Sequence, residues 1–272
     1  MELRVANNAA YVYTGGKTLD AKLPAVVFIH GGENDHCVWA LQSRYLAHHG
    51  YAVLAVDLPG HGKSGGAPLA TIEDMAGWIV ALLDAATVNT AALVGHSMGS
   101  LVALECAARH PQRVHRLALL GTAFPMRVSP DLLQATKSRE SDAHGMINAL
   151  SHSAYAHYPS NPGPGFWVIG GNLRLMQRQK PGVLYADFAA CDGYKTGFER
   201  AAQVKCPALF LLGARDAMTP ASAGRDLARA VPNSTVVTLA SAGHNLMGEK
   251  PDEVLDALVE FLRAQARGTL HA

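Results

Sequence analysis

The 272-residue chain is short of cysteine, of net charge and of long apolar runs. Its four cysteines, Cys37, Cys106, Cys191 and Cys206, lie far apart. They form no CxxC pair and no zinc-type spacing, so neither a disulfide framework nor a structural metal is expected. Free thiols in a reducing compartment are the expectation. Lysine plus arginine number 23 against 22 for aspartate plus glutamate. That balance does not call for nucleic acid or an anionic membrane as partner, and the expected partner is a small-molecule substrate. No stretch reaches the roughly 18 uninterrupted apolar residues of a membrane span. The opening Met1-Glu2-Leu3-Arg4 has no apolar run behind a basic start, so no secretory leader is expected, and the expected location is cytoplasmic. The sequence specifies no oligomeric state.

What is present is enough apolar material for a large core, 49% hydrophobic against 17% charged residues. Leu3–Val5 and Tyr11–Tyr13 read as short strands. Pro24–Ile29, Tyr51–Val56, Ala91–Val94, Val114–Leu120, Ala208–Leu212 and Thr235–Leu239 are short apolar runs suited to buried strands. Helical spacing lies between them. One helix spans about 38–49 and stops at Gly50. A second covers Thr71–Ala86, with Thr71 as N-cap and Glu73 and Asp74 in its first turn. Others follow Gly99 and occupy about 220–230 and 252–266. Strands alternating with helices predict an α/β fold, a doubly wound and mostly parallel sheet with helices on both faces.

Residues 122–204 break that rhythm. They contain polar helical stretches and the loop Pro159–Gly165, and about 80 residues exceed an ordinary connection. They read as a helical lid inserted between a first core part, 1–121, and a second, 205–272.

The chemistry points to strand ends. Gly95-His96-Ser97-Met98-Gly99 fits G-x-S-x-G between a predicted strand and a predicted helix. A turn that sharp needs glycine on both limbs and projects the serine above the sheet edge. A serine hydroxyl is a weak nucleophile until a base takes its proton. Asp216, in Gly213-Ala-Arg-Asp216, and His244, in Ala242-Gly-His244-Asn, each follow a late predicted strand, so all three can meet at one edge of the sheet. Asp216 would fix the His244 tautomer, and His244 would act as base on Ser97. Asp226 is a weaker choice because it falls inside a predicted helix. Asp57 precedes Ser97 and is expected to brace the Pro59–Ser64 loop.

Five motifs in this order, His30-Gly31-Gly32, Asp57–Ser64, Gly95–Gly99, Gly213–Pro220 and Gly243-His244, give a chain that resembles the α/β-hydrolase superfamily over nearly its full length. The resemblance implies an oxyanion hole made by the backbone N–H groups of Gly32 and Met98, with Gly31 or Glu33 as alternatives to Gly32. It also implies a lid over the pocket. Phe124 and Trp39, and from the lid Trp167 and Tyr155, are the expected substrate neighbours. The lid histidines His144, His152 and His157 are expected to face water. An inward Arg174 or Arg178 would signal acidic substrates.

The expected activity is hydrolysis of a small-molecule carboxylic ester through an acyl-enzyme, with no metal or organic cofactor required. Carbon–carbon bond hydrolysis and enol-lactone hydrolysis use the same parts. Relatives that cleave carbon–carbon bonds carry Asn before the serine and Trp after the histidine, where this chain has His96 and Asn245. A small-molecule receptor without turnover is the reading from a different class.

Overall fold

The computed structural model describes residues 1–157 and 167–263. Two antiparallel strands open the chain, β1 (Glu2–Val5) and β2 (Asn8–Tyr13). Strand and helix then alternate: β3 (Ala25–Ile29), α1 (Ala40–His48), β4 (Ala52–Val56), α2 (Ile72–Ala85), β5 (Ala91–His96), α3 (Met98–Arg109) and β6 (Val114–Leu120). Four helices interrupt, α4 (Pro130–Ser138), α5 (Glu140–Ser151), α6 (Val168–Gln177) and α7 (Val183–Gly193). The alternation resumes with α8 (Gly197–Gln203), β7 (Ala208–Gly213), α9 (Ala221–Arg229), β8 (Ser234–Leu239), α10 (Leu246–Glu249) and α11 (Pro251–Arg263). The expected helix over 252–266 thus reaches the end of the described residues, and 264–266 lie outside them.

The eight strands form one sheet in the order β1-β2-β4-β3-β5-β6-β7-β8. Only the pairings of β2 are antiparallel; β4, β3, β5, β6, β7 and β8 run parallel. This is the α/β sheet that the alternation predicts.

The period of two explains why the central strands are apolar throughout. Val27 and Ile29, Leu93, Leu117 and Leu119, and Phe210 point to one face, beneath α2 and α3. Val26 and Phe28, Val94, Leu120 and Leu211 point to the other, where Leu46 of α1 and Val254, Leu258 and Leu262 of α11 cover them. Each fully buried Leu, Ile, Val or Phe side chain contributes about 1.5–3 kcal/mol, so this double layer holds the sheet edge that carries the loops. Thr71 caps α2 as its sequence suggests, accepting the Asp74 N–H at 3.0 Å.

The insertion has a small core of its own, with Leu132, Ala135, Ile147, Met176 and Leu184. It does not end cleanly at 204. Helix α7 runs from this core at Leu184 into the sheet core at Ala190 and Cys191, and α8 packs on α3 and α9. The Pro159–Gly165 loop lies outside the described residues.

Candidate active site

Ser97 sits between the end of β5 and the first residue of α3, with φ 52° and ψ −121°. A left-handed backbone at a non-glycine residue costs on the order of 1–3 kcal/mol. The surroundings impose it. A Cβ at position 95 would lie 2.1 Å from the Gly99 carbonyl oxygen, and one at 99 would lie 2.4 Å from that of Ile29. Only glycine on both limbs lets the turn close this tightly.

Asp216 follows β7 and is buried. Its Oδ1 accepts the N–H groups of Met218 at 2.9 Å and Thr219 at 2.7 Å. Its Oδ2 accepts the Thr219 hydroxyl at 2.6 Å and lies 2.8 Å from His244 Nδ1. Burial alone would raise the Asp216 pKa, but the His244 ring and the hydrogen bonds from His244 and Thr219 outweigh it and hold the carboxyl below its ordinary value. The Asp216 contact fixes the proton of His244 on Nδ1, which leaves Nε2 for the cavity beyond. Asp226 lies away from this cluster, on α9, paired with Arg229.

Three further bonds hold the histidine loop. His96 Nε2 lies 2.8 Å from the His244 carbonyl. Buried Glu249 accepts the Gly243 N–H at 3.0 Å. Ser151, at the end of α5, accepts the Asn245 N–H at 2.9 Å. Burial pushes the His96 pKa down to about 3, aided by the neighbouring His244, so the ring is neutral and its Nε2–H donates.

Ser97, His244, Gly31 and Gly32 line one cavity of about 40 Å³, together with Ile147, Met176, Phe188 and Met218. Gly32 N–H has no hydrogen-bond partner among the described residues, and Met98 carries the first amide of α3, which no carbonyl of that helix reaches. Glu33 N–H, one of the two alternative donors, is engaged by Asp187 Oδ2 at 2.7 Å. His30 Nδ1–H donates to the Gly31 carbonyl at 2.8 Å, and its Nε2 accepts the Leu58 N–H at 3.1 Å. Burial, then the neighbouring His61, lowers the His30 pKa to about 4, so a neutral ring joins the His-Gly loop to the loop after β4. Asp57 braces that second loop, accepting the Lys63 N–H at 2.9 Å and the His36 N–H at 2.8 Å.

None of the four aromatics expected near substrate is in the cavity wall. Trp39 is fully buried against Phe28 and His96, with ring centroids 5.0 and 6.5 Å apart, because the 3-10 turn His36–Trp39 ahead of α1 directs it into the sheet core. Phe124 packs edge-on against Tyr194 and Phe198 over Gly197. Tyr155 and Trp167 lie on the outer surface, 53% and 69% exposed. Two of the three lid histidines are also not solvent-facing. His144 is buried 2.8 Å from Glu33, and His152 is buried with Nδ1 on the Asn148 carbonyl at 2.8 Å. His157 is exposed. Arg178 turns onto Asp35 at 3.0 Å and Arg174 onto Gln177 at 3.0 Å, and neither reaches the cavity.

The chain has clear likenesses among known proteins. A family profile described as alpha/beta hydrolase fold matches residues 24–251. Over 263 residues the chain is 30% identical to a pimeloyl-[acyl-carrier protein] methyl ester esterase of Chromobacterium violaceum, covering 89% of this chain and 96% of that one. It is 28% identical to an sn-1-specific diacylglycerol lipase of Mus musculus over 89% of this chain and 82% of the other. Among solved structures, the enol-lactonase of Burkholderia xenovorans LB400 superposes with a TM-score of 0.85 at 25% identity, over 96% and 99% of the two chains.

Proposed function

The chain belongs to the alpha/beta hydrolase fold family, and from that premise we propose that it hydrolyses a carboxylic ester of a small molecule through an acyl-enzyme on Ser97. The observation that carries this reading is the cavity itself. A strained serine and a histidine oriented by a buried carboxylate share its wall. No helix of the described residues is long and apolar enough to cross a membrane. The free thiols, including partly exposed Cys37 and Cys206, suit a cytoplasmic setting.

His244 Nε2 takes the Ser97 proton as Oγ bonds to the acyl carbon. The oxyanion faces the N–H groups of Gly32 and Met98, each such donor supplying about 2.7–4 kcal/mol in related sites. The imidazolium returns its proton to the departing alkoxide, and the alcohol leaves. Water, deprotonated by the same histidine, then releases the acid and restores the serine.

Helices α4 to α7 act as the cover. A water needs about 10–15 Å³ of such space, so a cavity of about 40 Å³ holds a few waters. Esters beyond the shortest enter only when the cover shifts. The long-range superposition on an enol-lactonase favours lactone opening as the second reading, since the steps are the same and the alcohol stays tethered to the acid.

Turnover of p-nitrophenyl acetate and butyrate, abolished by Ser97→Ala, is the expected result. A well-folded protein that turns over neither esters nor lactones yet binds a small molecule tightly would be a receptor, and the proposal would be wrong.

A further inference from the structure

Three asparagines, Asn34, Asn172 and Asn245, stand in the cavity wall. The NH2 group of each is already engaged. Asn34 Nδ2 donates to the Gly32 carbonyl at 3.1 Å. Asn172 Nδ2 donates to Asn148 Oδ1 at 3.1 Å. That orientation is set by Asn148, whose own Nδ2 donates to the Ile169 carbonyl at 3.2 Å. Asn245 Nδ2 lies 3.1 Å from His152 Nε2. His152 Nδ1 faces a carbonyl and must carry the proton, so Nε2 accepts and the asparagine donates.

An amide held through its nitrogen offers its oxygen. Asn34 Oδ1 is buried and has no partner among the described residues. His96 adds a second such atom. Its Nε2–H is on the His244 carbonyl, so Nδ1 is a bare acceptor, buried and unpaired. The wall therefore presents the amide oxygens of Asn172 and Asn245, with Asn34 Oδ1 buried behind its surface, and its donors are the backbone amides near Ser97 and the hydroxyls of Ser97 and Ser151. Among the described residues no lysine or arginine lines it.

We propose that this cavity selects neutral substrates carrying a hydrogen-bond donor, an O–H or N–H group, close to the reacting carbonyl, and discriminates against carboxylate-bearing ones. The proposal rests on the hydrolase reading above and narrows its substrate class. A donor that reaches the oxygens of Asn172 or Asn245 satisfies an acceptor that an alkyl group leaves unpaired. An anion brings repulsion from the same oxygens and meets no cation. Met176, Phe188 and Met218 cover the apolar remainder of the substrate.

The test is a matched ester panel followed by pH-stat: propyl butyrate, propyl 3-hydroxybutyrate, 2-hydroxyethyl butyrate and monopropyl succinate. The hydroxyl is thus offered on the acyl side and on the alcohol side. At least one hydroxy ester is expected to exceed propyl butyrate in kcat/KM by about tenfold, the size of one unpaired buried acceptor. Monopropyl succinate is expected to be slowest. Asn172→Leu should reduce the hydroxy-to-alkyl ratio. Affinities of the same esters for the Ser97→Ala protein give the ratio without turnover. Equal kcat/KM for alkyl and hydroxy esters, or a preference for the succinate, overturns this inference and leaves the hydrolase reading standing. If no ester is turned over by the folded protein, the hydrolase reading fails and this one falls with it.

Discussion

Asp187 Oδ2, on helix α7 of the insertion, accepts the backbone N–H of Glu33 at 2.7 Å. The same oxygen lies 2.8 Å from His61 Nε2. One carboxylate thus ties the inserted helices to the Gly31–Glu33 loop and to the loop after β4. His61 Nδ1 faces the Pro59 carbonyl at 3.0 Å, so both ring nitrogens meet acceptors and the ring is held as imidazolium. Burial opposes that charge, but the Asp187 carboxylate and its hydrogen bond prevail and the His61 pKa is raised. The Gly32 N–H is one residue from the clasp, so the clasp sets where that N–H points.

Removing the carboxylate should therefore act on rate more than on binding. Asp187→Asn keeps an acceptor for Glu33 but loses the ion pair. Asp187→Ala loses both and leaves a buried imidazolium uncompensated, which costs about 3–5 kcal/mol in comparable pairs. The expected order of kcat is wild type, then Asn, then Ala, with the Asn variant down about 10-fold to 100-fold and KM changed little. Steady-state kinetics of the two variants decide it. A rise in KM at constant kcat would assign Asp187 to the cover alone.

The same pair gives a pH dependence with a definite sign. A histidine whose folded pKa is raised contributes its full stability below the ordinary value of about 6.5 and loses it as pH rises through the raised value. Urea midpoints should accordingly fall on the alkaline side, from about pH 6.5 upward, and the fall should be shallower in His61→Gln. Identical slopes in the two proteins would show that this imidazolium contributes nothing to the linkage.

The backbone of Ser97 stores strain that glycine would not carry. Ser97→Gly should abolish turnover while raising unfolding stability by about 1 kcal/mol, because φ 52° is ordinary for glycine. Chemical denaturation of Ser97→Gly beside Ser97→Ala separates relief of strain from loss of the hydroxyl. If glycine is no more stable than alanine here, the turn is not strained in solution.

The strand ends were readable because buried parallel strands are short apolar runs and the loops after them are chemically distinctive. Ser97, Asp216 and His244 each follow such a run. The alternation of strand and helix, the cap at Thr71 and the bracing by Asp57 follow from the same local cues. What escaped were pairings between distant positions. Asp187 meets Glu33 and His61 across 154 and 126 residues, and nothing near Asp187 in sequence marks it. His96 sits inside the serine motif, but its role depends on reaching the His244 carbonyl, which only the closed fold supplies. Phe124 and Trp39 miss the cavity because closeness to a motif along the chain is not closeness in space, and Tyr155 and Trp167 because a place in the inserted helices does not fix which side faces inward. Phe124 and Trp39 turn into packing layers where their area is buried best.

Asp216→Asn tests the remaining link, the orientation of the base. The asparagine retains an oxygen for the N–H groups of Met218 and Thr219, so the loop should fold as before. Its second position then holds an NH2 where a carboxylate oxygen received His244 Nδ1–H and the Thr219 hydroxyl. The ring is driven to the other tautomer, with Nδ1 accepting and Nε2 protonated, and a protonated Nε2 takes no proton from serine. The loss in kcat should approach 10⁴-fold, as it does when the same exchange is made in other triads. Thr219 Oγ1 lies 3.0 Å from His244 Nδ1 and can accept from it once the carboxylate is gone. The double variant Asp216→Asn with Thr219→Val should therefore fall below the single one. A single variant that retains a tenth of the wild-type kcat would mean that another group orients His244.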